Sequence, residues 1–227
     1  MEIKKTTLWK TGFIVLCLIV LIFIFNPFKS SSGAGLVDVS LFTNNQSLYP
    51  SLGPDNATNV VIEISDFQCP ICGIASALPN WSSQYSNQKS YNIAGKIENA
   101  AKQGKLRLIS VIMSFLGQGS VYAAEAALCA NEQGKFWEMH DTIYSNQVPP
   151  SQEGIQFTKS QLETIAQGVS GLDQTKFSSC LEGDKHLSDV QKISGSANSI
   201  GVKGTPTFII NGKMLLDWTS ALSVLSQ

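Results

Sequence analysis

The stretch SDFQCPICGI, Ser65 to Ile74, places two cysteines three positions apart directly after an apolar run. That run, NVVIEIS from Asn59 to Ser65, is rich in β-branched residues and predicts a buried strand. Pro70 suits the first turn of a helix, where its missing N–H costs no hydrogen bond, so a helix is expected to begin near Cys69. Cys69 and Cys72 are therefore predicted to lie where a strand passes into a helix.

This position favours redox chemistry at Cys69. The unsatisfied N–H groups of a first helical turn carry partial positive charge, which stabilises a thiolate and lowers the pKa of a cysteine there. Cys72 lies one turn further on, close enough to attack a mixed disulfide formed at Cys69. A three-residue spacing also arises by chance or as half of a zinc site, but a closed zinc site needs four ligands. The chain has one such pair and two isolated histidines, His140 and His186, so we predict no metal and no organic cofactor.

A second informative stretch is GVKGTPTFIING, Gly201 to Gly212, near the C-terminus. Pro206 directly precedes an apolar run, and because a strand interior does not tolerate proline, it must lie at the start of a strand. A cis bond before Pro206 would bring the backbone of Thr205 beside the cysteine pair, ready to pair with an extended substrate.

The order of predicted elements indicates an α/β fold. A strand over Leu106 to Phe115 follows a helical stretch at 91–103, which makes a strand–helix–strand unit with the strand before Cys69. Residues from about 118 to 197 contain helix formers and no convincing strand, and they predict a helical insertion into one fold. Strands return only at Gly204 to Gly212.

The phrases DFQCPIC and GVKGTPTFIING, with a long helical block between them, resemble the DsbA-like branch of thiol–disulfide oxidoreductases in the thioredoxin-fold superfamily. The resemblance runs from about Gly53 to Gln227. It implies a thioredoxin fold with an inserted helical domain, Cys69 as the attacking cysteine, Cys72 as the resolving one and Pro206 as the cis-proline. It also implies that Glu63 is a buried acid for proton transfer; the alternative is a partly exposed strand carboxylate.

We expect the residues around the pair to contact substrate, namely Thr205, Pro70 and Ile71. The strongest oxidants of this family carry histidine where this chain has Ile71. A neutral side chain gives the thiolate no added charge and predicts a less oxidising pair. We expect a disulfide-forming enzyme; a reductase or isomerase of the same fold, or a non-enzymatic metal-delivery module on this scaffold, stays open.

Cys129 and Cys180 both lie in the predicted helical block. A disulfide between them would close a loop of about 50 residues, worth ~4 kcal/mol in the chain-entropy model. Two separate buried thiols, or a redox role shuttling electrons from Cys72, are the alternatives.

The N-terminus predicts a membrane anchor. Three lysines within the first ten residues precede Gly12 to Phe25, which contains no charge. We predict an uncleaved transmembrane helix over residues 1–28 with the domain outside the cytosol; a cleaved signal is the alternative. Residues 29–58, rich in Ser, Gly, Asn and Pro, predict a tether to a domain over 59–227.

The charge balance limits the class of partner. With 16 basic and 17 acidic residues the net charge is −1, so no basic field attracts nucleic acid. The resemblance implies cysteine-containing protein substrates and a membrane redox partner that resets the Cys69–Cys72 couple.

Overall fold

The computed structural model describes residues 36–151 and 157–226. Within these ranges the strands are β1 (Ser51–Leu52), β2 (Val60–Ser65), β3 (Arg107–Ile112), β4 (Thr207–Ile210) and β5 (Lys213–Met214). They form one five-stranded sheet in the order β1-β3-β2-β4-β5. The central strand β2 pairs parallel with β3 and antiparallel with β4.

The described helices fall into two groups along the chain. Three precede the loop that leaves β3: α1 (Ser40–Thr43), α2 (Pro70–Ser76) and α3 (Ile93–Lys102). Five lie between β3 and β4: α4 (Gln118–Asn131), α5 (Phe136–Ser145), α6 (Lys159–Ala166), α7 (Gln174–Glu182) and α8 (Leu187–Ser199). Two 3-10 helices complete the described elements, Asn80–Tyr85 and Trp218–Ser226. The predicted α/β fold with a helical insertion is confirmed.

The sheet separates two apolar cores, because successive side chains of a strand point to opposite faces. Val61 packs with α3 and the C-terminal 3-10 helix, in the core that also holds Phe208. Ile62 and Ile64 pack in the core that contains the helical insertion. Burial on both faces explains why β2 is a continuous apolar run interrupted only by Glu63.

A disulfide joins α4 to α7 inside the insertion. Cys129 and Cys180 are bonded, with a Cα–Cα distance of 5.8 Å and a sequence separation of 51. Both residues are buried. The bond therefore links two helices that pack in the same core.

The described part of the predicted tether, residues 36–58, packs against the domain. Phe42 is buried in the larger core. The Arg107 guanidinium, itself buried on β3, donates to the Ser51 hydroxyl and pairs with Asp55, both at 3.3 Å. A linker-like composition does not reveal these contacts, because they depend on an arginine some 50 positions away.

The predicted anchor, residues 1–28, and residues 29–35 lie outside the described residues. Among the helices of 36–151 and 157–226, none has the length and apolar character needed to cross a membrane.

Glu125 is a buried carboxylate in the helical insertion. It lies on α4 with no exposed surface, and neither carboxylate oxygen has a hydrogen-bond partner among the described residues. Burial raises the pKa of Glu125 from 4.5 to about 7; Asp184 adds to the shift, while Lys159 opposes it. Between these two values the unfolded chain loses this proton and the folded chain keeps it, so stability falls as pH rises.

Replacing Glu125 with Gln should stabilise the fold above pH 7, by on the order of 1–3 kcal/mol, and should have little effect near pH 4.5. The reason is that glutamine carries no charge to desolvate. Urea denaturation across this pH range measures the effect. Glu138→Gln, on the half-exposed side of α5, is the matched control and should change stability little at any pH. A gain in the free energy of unfolding of Glu125→Gln that does not depend on pH would contradict this explanation.

Removing the disulfide by Cys129→Ala with Cys180→Ala should lower the free energy of unfolding by about 2–4 kcal/mol, because the unfolded chain regains the entropy of an open loop. Chemical denaturation of the oxidised chain measures the loss. Cys17→Ala, which removes a cysteine outside the described residues, should leave the unfolding midpoint unchanged. An unchanged midpoint in the double variant would show that the bond does not stabilise the fold.

Candidate active site

Cys69 is the residue that immediately precedes α2. Its backbone is extended, with φ −73° and ψ 116°, and Pro70 occupies the first helical position. Its N–H donates to the carbonyl of Asp66 at 3.0 Å, and its carbonyl accepts from Gly73 at 3.1 Å. Cys69 and Cys72 are both free thiols. The side chain of Cys69 is thus held at the amino end of a helix, as the sequence predicts.

The two thiols differ strongly in acidity. A hydrogen bond from the Cys72 thiol is the main cause that lowers the pKa of Cys69 to about 6. The Thr205 side chain and the backbone N–H groups of Ile71 and Cys72 lower this pKa further, whereas burial raises it. Burial raises the pKa of Cys72 well above its usual range, and the neighbouring Cys69 thiolate raises it further. Cys69 therefore ionises first and Cys72 keeps its proton.

The two predicted stretches meet at the cysteine pair. The Thr205–Pro206 bond is cis, and Ile64 near the end of β2 lies opposite Thr207 at the start of β4. This register brings the Thr205 carbonyl to 3.5 Å from the Cys69 sulfur, where the thiol donates to it. Residues far apart in the chain thus form one site.

The surface beside the pair is apolar. Ile71 is 44% exposed, and Phe115 and Leu116, in the loop after β3, are 45% and 42% exposed. Gln68 connects this loop to the cysteine motif, because its side-chain amide donates to the Leu116 carbonyl at 3.0 Å. Cys69 itself is only 6% exposed, so an incoming sulfur must approach across this apolar rim. Sequence patterns did not identify Phe115 or Leu116 as site residues.

Asp66 organises the loops around the site. Its buried carboxylate accepts from the backbone N–H groups of Gln68, Phe115 and Leu116, at 2.8, 3.0 and 3.2 Å. It also accepts from the hydroxyl of Ser120, at 2.7 Å. Burial raises the pKa of Asp66 in spite of these donors. A carboxylate directly after an apolar strand is the sequence signal for this role, and the motifs considered above did not include Asp66.

Gln147 supports the turn that carries Cys69. Its side-chain amide donates to the backbone carbonyls of Phe67 and Cys69 at 2.8 and 3.1 Å, and its backbone carbonyl accepts from the indole of Trp81 at 2.7 Å. A Cβ on Gly73 would come within 2.1 Å of the Gln147 side-chain oxygen, so glycine allows this close contact. Nothing in the local sequence indicates this role, because Gln147 is 78 positions from Cys69.

Glu63 and His140 lie behind the pair. Glu63 is buried on β2, with 7% of its surface exposed, which excludes the partly exposed strand carboxylate. Burial raises its pKa to about 7; His140 lowers it and Glu98 raises it further. His140, which is not near the cysteines in sequence, packs among aromatic rings, including Phe67 at 5.6 Å and Tyr144 at 5.0 Å.

Two groups of side chains in the described residues bring three possible ligand atoms within 4.8 Å of one another. One contains His186 with Cys129 and Cys180, but the two cysteine sulfurs are joined in a disulfide and are not thiolate ligands. The other contains Glu98, His140 and Asp141, whose carboxylates already pair with the ammonium of Lys102. Neither arrangement resembles a metal centre.

In a Cys17→Ala background, Cys72→Ala should raise the pKa of Cys69 from about 6 by at least about one unit, because the thiol hydrogen bond to the thiolate is lost. The ultraviolet absorbance of the thiolate as a function of pH measures this value in the reduced chain. Ile71→Ala keeps the backbone donor and should leave the value near that of the wild type. An unshifted Cys72→Ala titration would mean that the helix terminus alone stabilises the thiolate.

The amino-acid sequence matches a known protein family and known proteins. The family described as Thioredoxin matches residues 45–224. The chain is 27% identical over 172 residues to "Probable disulfide bond formation protein D" of Bacillus anthracis, covering 74% of this chain and 72% of that protein.

Solved structures share the fold. The oxidised form of BdbD from Bacillus subtilis superposes with a TM-score of 0.66 at 22% identity, covering 80% of this chain and 94% of that one. DsbA from Mycobacterium tuberculosis in its reduced form gives a TM-score of 0.59 at 19% identity, covering 79% and 93%. The family match shows that this chain belongs to the thioredoxin family, and together with the Bacillus anthracis relative and the geometry at Cys69 it identifies a DsbA-like protein-disulfide oxidoreductase.

Proposed function

We propose that this enzyme forms disulfide bonds in proteins outside the cytosol, with Cys69 exchanging disulfides with substrate and Cys72 resolving. The observation that carries the proposal is the stabilised thiolate at Cys69, whose pKa falls to about 6. A stabilised thiolate favours the reduced pair, so the Cys69–Cys72 disulfide accepts electrons more readily from substrate thiols.

The reaction runs in two exchanges. A substrate thiolate attacks the Cys69 sulfur of the enzyme disulfide, and Cys72 leaves as a thiolate that takes up a proton. A second substrate thiolate then attacks the mixed disulfide, which releases an oxidised substrate and the Cys69 thiolate. A membrane redox partner that accepts the two electrons restores the enzyme disulfide.

Glu63 supplies and accepts the proton of Cys72 in this scheme. Cys72 is buried and its pKa is high, so its thiolate cannot persist without a nearby proton source. Glu63 is also buried, and a pKa of about 7 lets it both donate and accept at neutral pH. Burial raises the pKa of Tyr144, and the charges of Cys72 and Glu63 both raise it further, which supports a location of the two groups near one side chain.

Substrate recognition follows from the surroundings of Cys69. The Thr205 backbone, positioned by cis-Pro206, offers hydrogen bonds to an extended chain beside the sulfur. Pro70 and Ile71 border the sulfur, and the exposed Ile71, with Phe115 and Leu116 nearby, suits apolar segments of incompletely folded proteins.

A location outside the cytosol is supported by the Cys129–Cys180 disulfide, since such bonds persist in oxidising compartments. The uncharged run Gly12 to Phe25 supports an anchor over residues 1–28. The relatives named for disulfide bond formation support the oxidising direction. A reductase or isomerase is the second candidate, because Ile71 adds no positive charge beside the thiolate.

The reduction potential of the Cys69–Cys72 couple tests the direction. An oxidase should lie nearer to about −120 mV and a reductase nearer to about −270 mV, on the scale set by DsbA and thioredoxin. Equilibration of the full chain with glutathione buffers measures it. Oxidative refolding of reduced ribonuclease should be fast and insulin reduction slow, and the reverse ordering would replace the proposal with its alternative.

In the same assays Cys69→Ser should lose essentially all exchange activity, since no attacking sulfur remains, whereas Cys17→Ala should keep it. Undiminished activity in Cys69→Ser would remove Cys69 from its role.

A further inference from the structure

A cluster of charged side chains, mostly buried, lies between α3 and α5. Glu98 on α3 and His140 and Asp141 on α5 bring their side-chain N and O atoms within 4.8 Å of one another. The His140 Nδ1 is 2.9 Å from an Asp141 carboxylate oxygen. Glu98 and His140 are both buried. Since Asp141 is part-exposed, the cluster extends from the interior to the surface.

Aromatic rings fix the imidazole of His140 in place. Four rings surround it with centroid distances of 5.0–5.9 Å, those of Phe67, Phe136, Trp137 and Tyr144. Phe67 belongs to the loop between β2 and Cys69, whereas the other three belong to α5. These apolar neighbours exclude water, so the charge on His140 is weakly screened and acts on buried groups nearby.

Glu63 lies opposite Phe208, which packs in the core that α3 covers, so both side chains point to that side of the sheet. On α3, Glu98 has a carboxylate oxygen within 4.8 Å of a His140 ring nitrogen. His140 lowers the pKa of Glu63. From α5, His140 and Tyr144 face Glu63; from α3, Glu98 does. The residues paired with Glu63 on the adjacent strands, Ser110 on β3 and Phe208 on β4, carry no charge. Glu98 opposes His140, so the two neighbours act on Glu63 with opposite signs.

The carboxylates of the cluster favour the charged form of His140. Burial alone would lower the pKa of His140, but its hydrogen bond with Asp141 and the charges of Asp141, Glu98 and Glu63 outweigh burial and raise it. At the outer end Lys102 pairs with Glu98 at 2.5 Å and with Asp141 at 3.6 Å. Glu98, Lys102 and Asp141 also line a cavity of about 350 Å³ that opens to solvent.

We propose that His140, held by Asp141, is a positioning residue that sets the pH range in which Glu63 exchanges a proton with Cys72. The inference rests on the proposed function, and it assigns control of that proton to the helical insertion. When Cys72 resolves a mixed disulfide at Cys69, its thiol proton passes to the Glu63 carboxylate. The Cys72 thiolate then attacks the Cys69 sulfur, the Cys69–Cys72 bond forms, and the other partner leaves as a thiolate.

His140→Gln removes the positive charge and should raise the pKa of Glu63. We expect two midpoints to move up by at least about half a pH unit. One is the infrared titration of the Glu63 carboxylic-acid band in the reduced chain, assigned by its loss in Glu63→Gln. The other is the pH profile for resolution of a mixed disulfide between Cys69 and a small aromatic thiol.

Two further variants separate charge from packing. Asp141→Asn weakens the protonation of His140 and should move both midpoints in the same direction by a smaller amount. Asp141→Glu keeps the carboxylate beside His140 and should leave both midpoints near the wild-type value. A general loosening of the interface would move both Asp141 variants alike, so this pair tests the charge of His140 even where His140→Gln does not fold.

His186→Gln is the matched control. His186 is the other histidine of the chain, lies in the same insertion and also pairs with carboxylates, Glu132 and Asp189, each at 2.9 Å. It is absent from the main influences on Glu63, so both midpoints should stay at the wild-type value.

Unmoved midpoints in folded His140→Gln or in Asp141→Asn, or equal shifts in Asp141→Asn and Asp141→Glu, would overturn the inference. The infrared titration needs no turnover, which separates this result from failure of the proposed function. A chain that shows the predicted infrared shifts but never exchanges a disulfide would overturn the proposed function, not the control of Glu63 by His140.

Discussion

The central strand β2 lies between β3 and β4, and its antiparallel pairing with β4 holds the end of one beside the start of the other. This pairing brings the Cys69 sulfur to 3.5 Å from the Thr205 carbonyl across 136 positions of sequence. Without it, the cysteine motif would be a helix terminus with no backbone beside it for a substrate to pair with. The backbone that lies beside the Cys69 sulfur therefore depends on the register of these two strands.

Three buried carboxylates in this chain show how partners decide the role of the same chemical group. Asp66 accepts four hydrogen bonds and holds loops in place. Glu125 has no hydrogen-bond partner among the described residues, so it lowers stability when ionised. Burial raises the pKa of Glu63 to about 7, and its two charged neighbours, His140 and Glu98, shift it in opposite directions. Burial is common to all three; the surroundings differ.

The helical insertion takes part in the chemistry as well as in packing. Gln147 follows α5 and donates hydrogen bonds to the turn that bears Cys69. Tyr144 and His140, on α5, interact electrostatically with Glu63. The Cys129–Cys180 bond ties together α4 and α7 in the core that α5 shares. A stable insertion therefore keeps the environment of the thiols constant through the redox cycle.

The sequence by itself determined the features that depend on adjacent residues: the strand before Cys69, the helix begun by Pro70 and the strand begun by Pro206. Periodicity and backbone chemistry act over a few positions, so these elements are visible without a structure. Only the tertiary structure decided which distant groups meet. It placed the Gln147 amide in hydrogen-bond contact with the Cys69 carbonyl, gave Glu63 a charged neighbour in His140, and packed residues 36–58 on the domain where the sequence predicts a tether. Such contacts arise from packing between elements remote in the chain, and no local pattern encodes them.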